Sequence, residues 1–259
     1  MTIAVARVAM VRPPIGAVTR GVAPLRATPD DAAELVDEAQ YGEVVTCLAE
    51  QGEWTYVQGP DLYFGWIRTT AIASVGHRHP VVVAVPLAVV RGAPFDTAAR
   101  VDELPAGAVL PGDERVGDWW RLGEQRYVRV ADTQGTDELP PRYPTADDLL
   151  ATAASFIGVP YLWGGTSAHG IDCSGFTQQV YRLNGVGLDR DADQQALAGS
   201  PVERARPGDL FFFGRDGVTH TAIATGERTF LHAPQSGMRV APAELTDGLQ
   251  LRATRRYLL

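Results

Sequence analysis

The sequence predicts an α+β protein in which two small β-barrels precede a domain of helices packed on an antiparallel sheet. Short strands joined by glycine and aspartate turns recur twice in the first half of the 259-residue chain, which is typical of small barrels. The second half mixes helical patterns with buried strands, which is typical of an α+β domain. These patterns place the three domains at residues 1–75, 76–138 and 145–259.

The two predicted barrels share a weak internal repeat. Gly52–Val57 (GEWTYV) is followed by the closing strand Gly65–Ile67 (GWI), and Gly117–Leu122 (GDWWRL) is followed by Arg126–Val130 (RYVRV). Each copy alternates apolar and polar residues, as a half-buried hairpin does. Two unrelated β-modules would give the same pattern.

A polar, proline-containing stretch at residues 132–144 predicts a linker, and a helix should follow it. Thr145 is a good N-cap, Asp147 and Asp148 suit the positive end of the helix dipole, and Gly158 should end the helix. The expected buried stripe comprises Leu149, Leu150, Ala153, Ala154 and Ile157.

Cys173 is the most informative residue of the second half. It opens a predicted helix that runs to about Leu183, and a helix N-terminus favours the thiolate. An isolated cysteine is most often a small buried hydrophobe, which is how we interpret Cys47. The polar neighbours Asp172 and Ser174 argue against that interpretation for Cys173, because a merely buried thiol needs no polar flanks.

Two histidines, His220 and His232, fall on consecutive predicted strands downstream of the cysteine. A three-residue loop would place them directly opposite each other, whereas a two-residue loop would place them on opposite faces of the sheet. A cysteine at a helix start with histidines on two adjacent strands is how papain-like enzymes assemble nucleophile, base and orienting residue. A zinc site from the same three residues is an alternative, although structural zinc usually uses closely paired ligands.

The amino-acid composition limits the classes of partner that the protein is expected to bind. The net charge is −8, all 23 basic residues are arginine, and no segment is basic, so neither nucleic acid nor an anionic membrane is expected. No apolar run reaches the ~20 residues that span a bilayer. The start of the chain, Met1–Arg7, does not read as a secretion signal, which predicts a cytoplasmic location. The sequence leaves the oligomeric state open.

Residues 145–259 resemble the NlpC family of bacterial cell-wall cysteine peptidases. The resemblance rests on the combination and order of five motifs, which are Tyr161–Gly165, Asp172–Phe176, Pro207–Phe213, Val218–Ile223 and His232–Ala233. It implies a papain-like fold, a catalytic set of Cys173, His220 and His232, no cofactor and no metal. The two barrels look like bacterial SH3-like modules, and the whole arrangement is similar to γ-D-glutamyl-L-diamino acid endopeptidases that recycle wall peptides.

The resemblance also implies a substrate and its contacts. The family cleaves the amide between γ-D-glutamate and a diamino acid such as diaminopimelate in peptidoglycan peptides, and the recycling enzymes require a free N-terminal L-alanine. Tyr63 matches the barrel tyrosine that closes the cleft, and either Glu43 or Glu38 matches an acidic barrel residue that meets the amine. The remaining assigned residues are Asp172, Ser174 and Trp163 for substrate binding, and the Tyr161 hydroxyl with the Cys173 amide for the oxyanion.

Two other classes of function stay open on sequence alone. The barrels could belong to a wall-binding or scaffold protein whose third domain is inactive. Alternatively, the papain-like domain could be an acyltransferase.

Overall fold

The computed structural model describes residues 14–74, 80–135, 144–246 and 248–258 of the chain. The predicted boundary at residues 75 and 76 and most of the predicted linker lie outside them, so the three domain ranges stay a prediction. The start of that linker is not a linker, because Thr133–Gly135 is a strand paired with Pro80–Val83. Among the described residues, no helix is both long and apolar enough to cross a membrane.

Barrel 1 is an antiparallel sheet with a small apolar core. Among the described residues its strands are β1 (Ile15–Val18), β2 (Val22–Arg26), β3 (Leu35–Gln40), β4 (Val44–Gln51), β5 (Trp54–Gln58), β6 (Phe64–Arg68) and β7 (Ile72–Ala73). They are hydrogen-bonded in the order β3-β2-β6-β5-β4-β1-β7. Gly65 permits the close approach of β6 to β2, since a Cβ there would lie 2.7 Å from Cβ of Leu25.

Barrel 2 consists of two antiparallel sheets around a second apolar core. Its described strands are β8 (Pro80–Val83), β9 (Leu87–Arg91), β10 (Arg100–Pro105), β11 (Val109–Pro111), β12 (Arg115–Val116), β13 (Trp119–Gly123), β14 (Arg126–Arg129) and β15 (Thr133–Gly135). Their orders are β10-β9-β14-β13-β12 and β11-β8-β15.

The sequence repeat corresponds to a structural repeat in the two barrels. Trp54 pairs with Arg68 across β5 and β6, and Trp119 pairs with Arg129 across β13 and β14. In both copies the arginine guanidinium lies over the buried tryptophan ring, 4.4 Å from its centroid in barrel 1 and 5.1 Å in barrel 2. A short 3-10 helix follows the closing strand each time.

The α+β domain packs three described helices on a six-stranded antiparallel sheet. The helices are α1 (Ala146–Ser155), α2 (Cys173–Leu183) and α3 (Ala192–Leu197). The strands are β16 (Thr166–Ser167), β17 (Gly170–Ile171), β18 (Ser200–Pro201), β19 (Leu210–Phe213), β20 (His220–Ala224), β21 (Thr229–His232), β22 (Ala241–Glu244) and β23 (Leu251–Arg256). The larger sheet has the order β18-β23-β19-β20-β21-β22, and β16 pairs with β17.

The first helix begins as predicted and ends earlier. Thr145 caps α1 in a reciprocal capping box with Asp148. The helix stops at Ser155, so Ile157 is 51% exposed and Phe156 is buried in its place. Ala154 is also exposed, which corrects the predicted stripe at these two positions.

Helix α2 is enclosed on nearly every side, and barrel 1 provides one of its walls. All its residues except Arg182 are buried, although a helix on a domain surface would leave one face in solvent. Arg182 itself pairs with Glu43 of barrel 1 at 2.5 Å. Gln178 donates to Asp61 of the same barrel at 3.0 Å. Barrel 1 is therefore packed directly against the helix that Cys173 opens.

Candidate active site

Cys173 is the first residue of α2 and lies against strand β20. Asp172 caps the helix through a hydrogen bond that its Oδ1 accepts from the Gly175 amide at 2.7 Å. The Cys173 side chain is largely buried, with 8% of the residue exposed. Its sulfur is close enough to the Thr221 amide for a hydrogen bond, which places the thiol beside the strand that carries His220.

The surroundings of Cys173 keep the thiol protonated at neutral pH. Burial and then the Asp172 charge raise the pKa of Cys173 to about 11, while the Thr221 amide, Arg190 and the Ser174 amide oppose that rise. Because a thiol must lose its proton to attack a carbonyl, this cysteine needs a base next to it.

The two histidines that the sequence singles out form a pair on neighbouring strands of the sheet. Nε2 of His220 and Nδ1 of His232 are 2.8 Å apart. The two side chains do not come from opposed positions, since Ile223 pairs with Leu231 and the residue opposite His220 would be Pro234. The connection is therefore neither the three-residue nor the two-residue loop that the sequence left open, and the histidines are not directly opposed.

A wider turn accounts for the shift. The amides of Thr225 and Gly226 both donate to the Thr229 carbonyl, so the turn is longer than either of the two loops that the sequence left open. A shift of two residues keeps His232 on the same face of the sheet, and diagonal neighbours on one face remain within reach of imidazole rings.

Both imidazoles are neutral at physiological pH. Burial, with a smaller contribution from His232, lowers the pKa of His220 to about 4, and burial lowers the pKa of His232 to about 4. With Nε2 of His220 bonded to His232, its Nδ1 is left to accept a proton. That assignment requires His220 to carry its proton on Nε2 and His232 to accept through Nδ1.

A cleft of about 470 Å³ brings together most of the predicted site residues. Tyr63, Tyr161, Trp163, Asp172, Cys173 and Ser174 all line it. Burial and the adjacent Cys173 raise the pKa of Tyr161 to about 12, so its hydroxyl remains a hydrogen-bond donor. The charged residues of the lining are all acidic and comprise Glu34, Asp172, Asp191 and Asp193.

Asp172 lies in this cleft, but its carboxylate is already saturated. Oδ1 accepts from the Gly175 amide, the Ser174 hydroxyl and Nη1 of Arg190, and Oδ2 accepts from the Gly164 amide and Nη2 of Arg190. A carboxylate offers about four lone-pair positions. Asp172 therefore holds the helix start and Arg190, and it has no free position for a substrate amine.

Glu43 lies outside the cleft. Its carboxylate accepts the Gln40 amide at 2.8 Å and pairs with Arg182, and it lines a separate cavity between barrel 1 and α2. Glu38 lines that second cavity too, where it accepts the Thr166 amide at 2.9 Å. Neither alternative is available to a substrate at Cys173, which corrects the expectation that one of them meets the amine.

Two other acidic residues, Glu34 and Asp191, line the cleft instead, and no sequence motif singled them out. The Tyr63 hydroxyl donates to Asp191 at 3.0 Å, and the Trp163 indole donates to Glu34 at 2.8 Å. The buried Arg190 joins Asp37 of barrel 1 to Asp172. Arg190 stands between Asp189 and Asp191, and such a charged run is typical of a solvated turn, so the sequence does not indicate its burial.

The zinc alternative gains no support from the geometry. Within the described ranges, no group of three or more His, Cys, Asp or Glu side chains is arranged to hold a metal ion.

An α+β domain with a cysteine opening its central helix and a histidine pair on the facing strands defines a papain-like cysteine peptidase. The family model described as "NlpC/P60 family" matches residues 158–255, and that described as "Bacterial dipeptidyl-peptidase Sh3 domain" matches residues 25–72. The chain belongs to the NlpC/P60 family of cysteine peptidases.

Curated relatives extend over both halves of the chain. A gamma-D-glutamyl-L-lysine dipeptidyl-peptidase of Bacillus subtilis is 31% identical over 83% of this chain and 79% of its own length. A protein of the same name from Bacillus cereus is 28% identical over 88% of this chain and 77% of its own length. The crystal structure of an NlpC/P60 family protein from Bacillus cereus superposes with a TM-score of 0.84. That match covers 95% of this chain and all of the other at 24% identity, which shows a shared fold.

Proposed function

We propose that the protein is a cysteine endopeptidase that hydrolyses the bond between γ-D-glutamate and a diamino acid in peptidoglycan peptides. The observation that carries the proposal is the Cys173 thiol, which lies against β20, the strand that begins at His220 of the His220–His232 pair, in a cleft that Tyr63 of barrel 1 also lines. The names of the curated relatives supply the substrate class. They specify lysine, and the family resemblance specifies diaminopimelate, so the diamino acid is either of these.

The proposed reaction begins with the neutral thiol and the neutral imidazole. Nδ1 of His220 takes the Cys173 proton as the sulfur attacks the γ-glutamyl carbonyl carbon, and the carbonyl electron pair moves to oxygen. The Cys173 amide lacks a helical acceptor because it lies in the first turn of α2, and it stabilises the oxyanion together with the Tyr161 hydroxyl.

Collapse of this intermediate completes the acylation half. The C–N bond breaks, His220 returns its proton to the departing amine, and the γ-glutamyl group remains on sulfur as a thioester. Water then attacks the thioester with His220 as base, which releases the free carboxylic acid and restores the thiol. Every step uses groups of this chain and water.

The other end of the substrate is proposed to be a free N-terminal L-alanine. An acidic cleft lining favours a cationic group, and Asp191 of the α+β domain, held by the Tyr63 hydroxyl of barrel 1, is the carboxylate that we assign to it. Ser174 and Asp172 shape the floor of the cleft without offering a free charge. This preference suits an enzyme that recycles wall fragments rather than one that cuts intact wall.

The two rival classes predict different products. A scaffold protein would leave the peptide intact, and an acyltransferase would join the γ-glutamyl group to an added amine. The test is to incubate L-Ala-γ-D-Glu-L-Lys, and the corresponding diaminopimelate peptide, with the protein and identify the products by mass spectrometry. Release of the free diamino acid and L-Ala-D-Glu supports the proposal. An intact peptide or an aminolysis product in place of the free acid would overturn it.

A further inference from the structure

A buried arginine joins barrel 1 to the start of helix α2. Arg190 is 1% exposed, and its Nε donates to Oδ1 of Asp37 on β3 at 2.8 Å. Its Nη1 and Nη2 donate to the two carboxylate oxygens of Asp172 at 3.1 and 2.8 Å, and Nη1 also reaches the Ser174 hydroxyl at 3.0 Å. This two-pronged pairing fixes the carboxylate plane as well as its position.

Asp172 is covalently adjacent to the candidate nucleophile. Its orientation sets the cap of α2, and its negative charge opposes formation of a thiolate on Cys173. Arg190 acts on both properties, because it locks the capping rotamer and offsets the charge. The mechanism described above uses neither Arg190 nor Asp37.

We propose that Arg190 is a positioning residue for the reaction, and that Asp37 of barrel 1 holds it in place. Barrel 1 is thereby a part of the apparatus that sets the reactivity of Cys173, in addition to forming a wall of the cleft. The inference rests on Cys173 being the nucleophile of the proposed function.

The chain contains a matched control for this arrangement. Arg182 and Glu43 also form an ion pair between α2 and barrel 1. Arg182 lies nine residues beyond Cys173 in α2, which is about 13 Å along the axis at ~1.5 Å per residue. Breaking this pair weakens the same domain contact without changing the charge next to the nucleophile.

The experiment measures the alkylation of Cys173 by iodoacetamide as a function of pH, in the full chain, with each cysteine followed by peptide mass spectrometry. Cys47 serves as an internal reference. The variants are Arg190→Gln, Arg190→Lys and Arg182→Gln, each checked for folding by circular dichroism. No peptide substrate is involved, so the result is independent of the bond that the protein cleaves.

We expect Arg190→Gln to displace the Cys173 pH profile upward by about one unit, because a neighbouring opposite charge shifts a pKa by roughly 1–3 units. On the rising limb, Cys173 then reacts about tenfold more slowly at a given pH. Arg190→Lys keeps the charge and stays within about half a unit of the wild type, and Arg182→Gln leaves the profile unchanged. Cys47 should be unaffected in all of them.

Arg190→Gln leaves two buried carboxylates without a cation, and that imbalance can prevent folding. The double variant Asp37→Asn/Arg190→Gln removes one of these charges and is measured in the same way, with the same displacement expected. A wild-type profile in whichever of these two variants folds would overturn the proposal. An equal displacement in Arg182→Gln would also overturn it, since domain contact in general would then be the cause.

Discussion

The Tyr63 hydroxyl donates a hydrogen bond to Oδ2 of Asp191 at 3.0 Å, across 128 positions of the chain. Burial raises the pKa of Asp191, and the bond from Tyr63 and the charge of Arg190 counter this rise. A residue of barrel 1 thus holds a carboxylate of the α+β domain in the lining of the cleft.

The first prediction concerns that carboxylate. Asp191→Asn should lower kcat/KM for a free-amine peptide by about thirtyfold or more, because removing one partner of a charge pair costs roughly 2 kcal/mol or more, at about 1.4 kcal/mol per factor of ten. Tyr63→Phe should act in the same direction with a smaller loss. Steady-state kinetics check this, with the exposed Asp193→Asn as the control that should change kcat/KM by less than about threefold. Equal losses at Asp191 and Asp193 would show a general effect of charge rather than a specific contact.

The second prediction separates the two cysteines. Cys173→Ala should abolish hydrolysis and keep the fold, because no other described side chain in the cleft supplies a thiol. Cys47→Ala should retain activity, with a stability loss of about 1 kcal/mol for a partly buried position. Product release and thermal unfolding measure the two effects. Residual turnover in Cys173→Ala close to that of the wild type would refute the assignment of the nucleophile.

The third prediction assigns the two histidines. His220→Ala should lower kcat by about 10²–10⁴, the usual contribution of a general base. His232→Ala should keep more activity, since it removes only the group that orients the His220 ring. His232→Asn should recover part of that loss, because the amide oxygen can accept the Nε2 proton of His220. A greater loss of activity in the His232 variant than in the His220 variant would mean that the two roles are reversed. Inhibition by a chelator would instead support the zinc site.

The fourth prediction is the acid limb of the pH profile. His220 must be neutral to act as a base, and burial lowers its pKa to about 4. We expect kcat/KM to hold down to about pH 5 and to fall as the pH approaches 4. His232→Ala should move the limb upward, since it removes a neighbour that lowers the pKa of His220 and lets in water. An acid limb near the ordinary histidine value of about 6.5 would contradict this account.

The lowered pKa of His220 also makes the stability of the fold depend on pH. The folded-state pKa of His220 lies below its unfolded value, so between about pH 4 and 6.5 the unfolded chain binds more protons. Stability therefore rises with pH across this window and is lost as the pH falls through it. Circular dichroism across the window separates acid unfolding from loss of the base.

Local signals predicted the local structure of this chain well. The Thr145 cap, the helix that begins at Cys173 and the two tryptophan hairpins all depend on neighbours close in sequence. The tryptophan–arginine pairs show that even the weak repeat carried structural information.

Contacts between domains could not be predicted in this way. Arg190 and Asp37 are 153 positions apart, and only the packing of barrel 1 against the α+β domain brings them together. The turn after Ala224 was wider than its composition indicated, which changed the histidine register while preserving the face. Glu43 lies outside the cleft for a related reason, because it pairs with Arg182, which belongs to another domain.

The central claim is that Cys173 cleaves γ-D-glutamyl peptides that carry a free N-terminal amine. The most direct measurement compares initial rates of diamino acid release from L-Ala-γ-D-Glu-L-Lys and from its N-acetylated form, with the Cys173→Ala variant as the blank. Acetylation removes the positive charge that the acidic cleft would pair, at a cost of roughly 2–5 kcal/mol. We predict cleavage of the free peptide and a rate tens- to thousands-fold lower for the acetylated one, at about 1.4 kcal/mol per factor of ten. Equal rates on the two peptides, or release that persists in Cys173→Ala, would contradict the account.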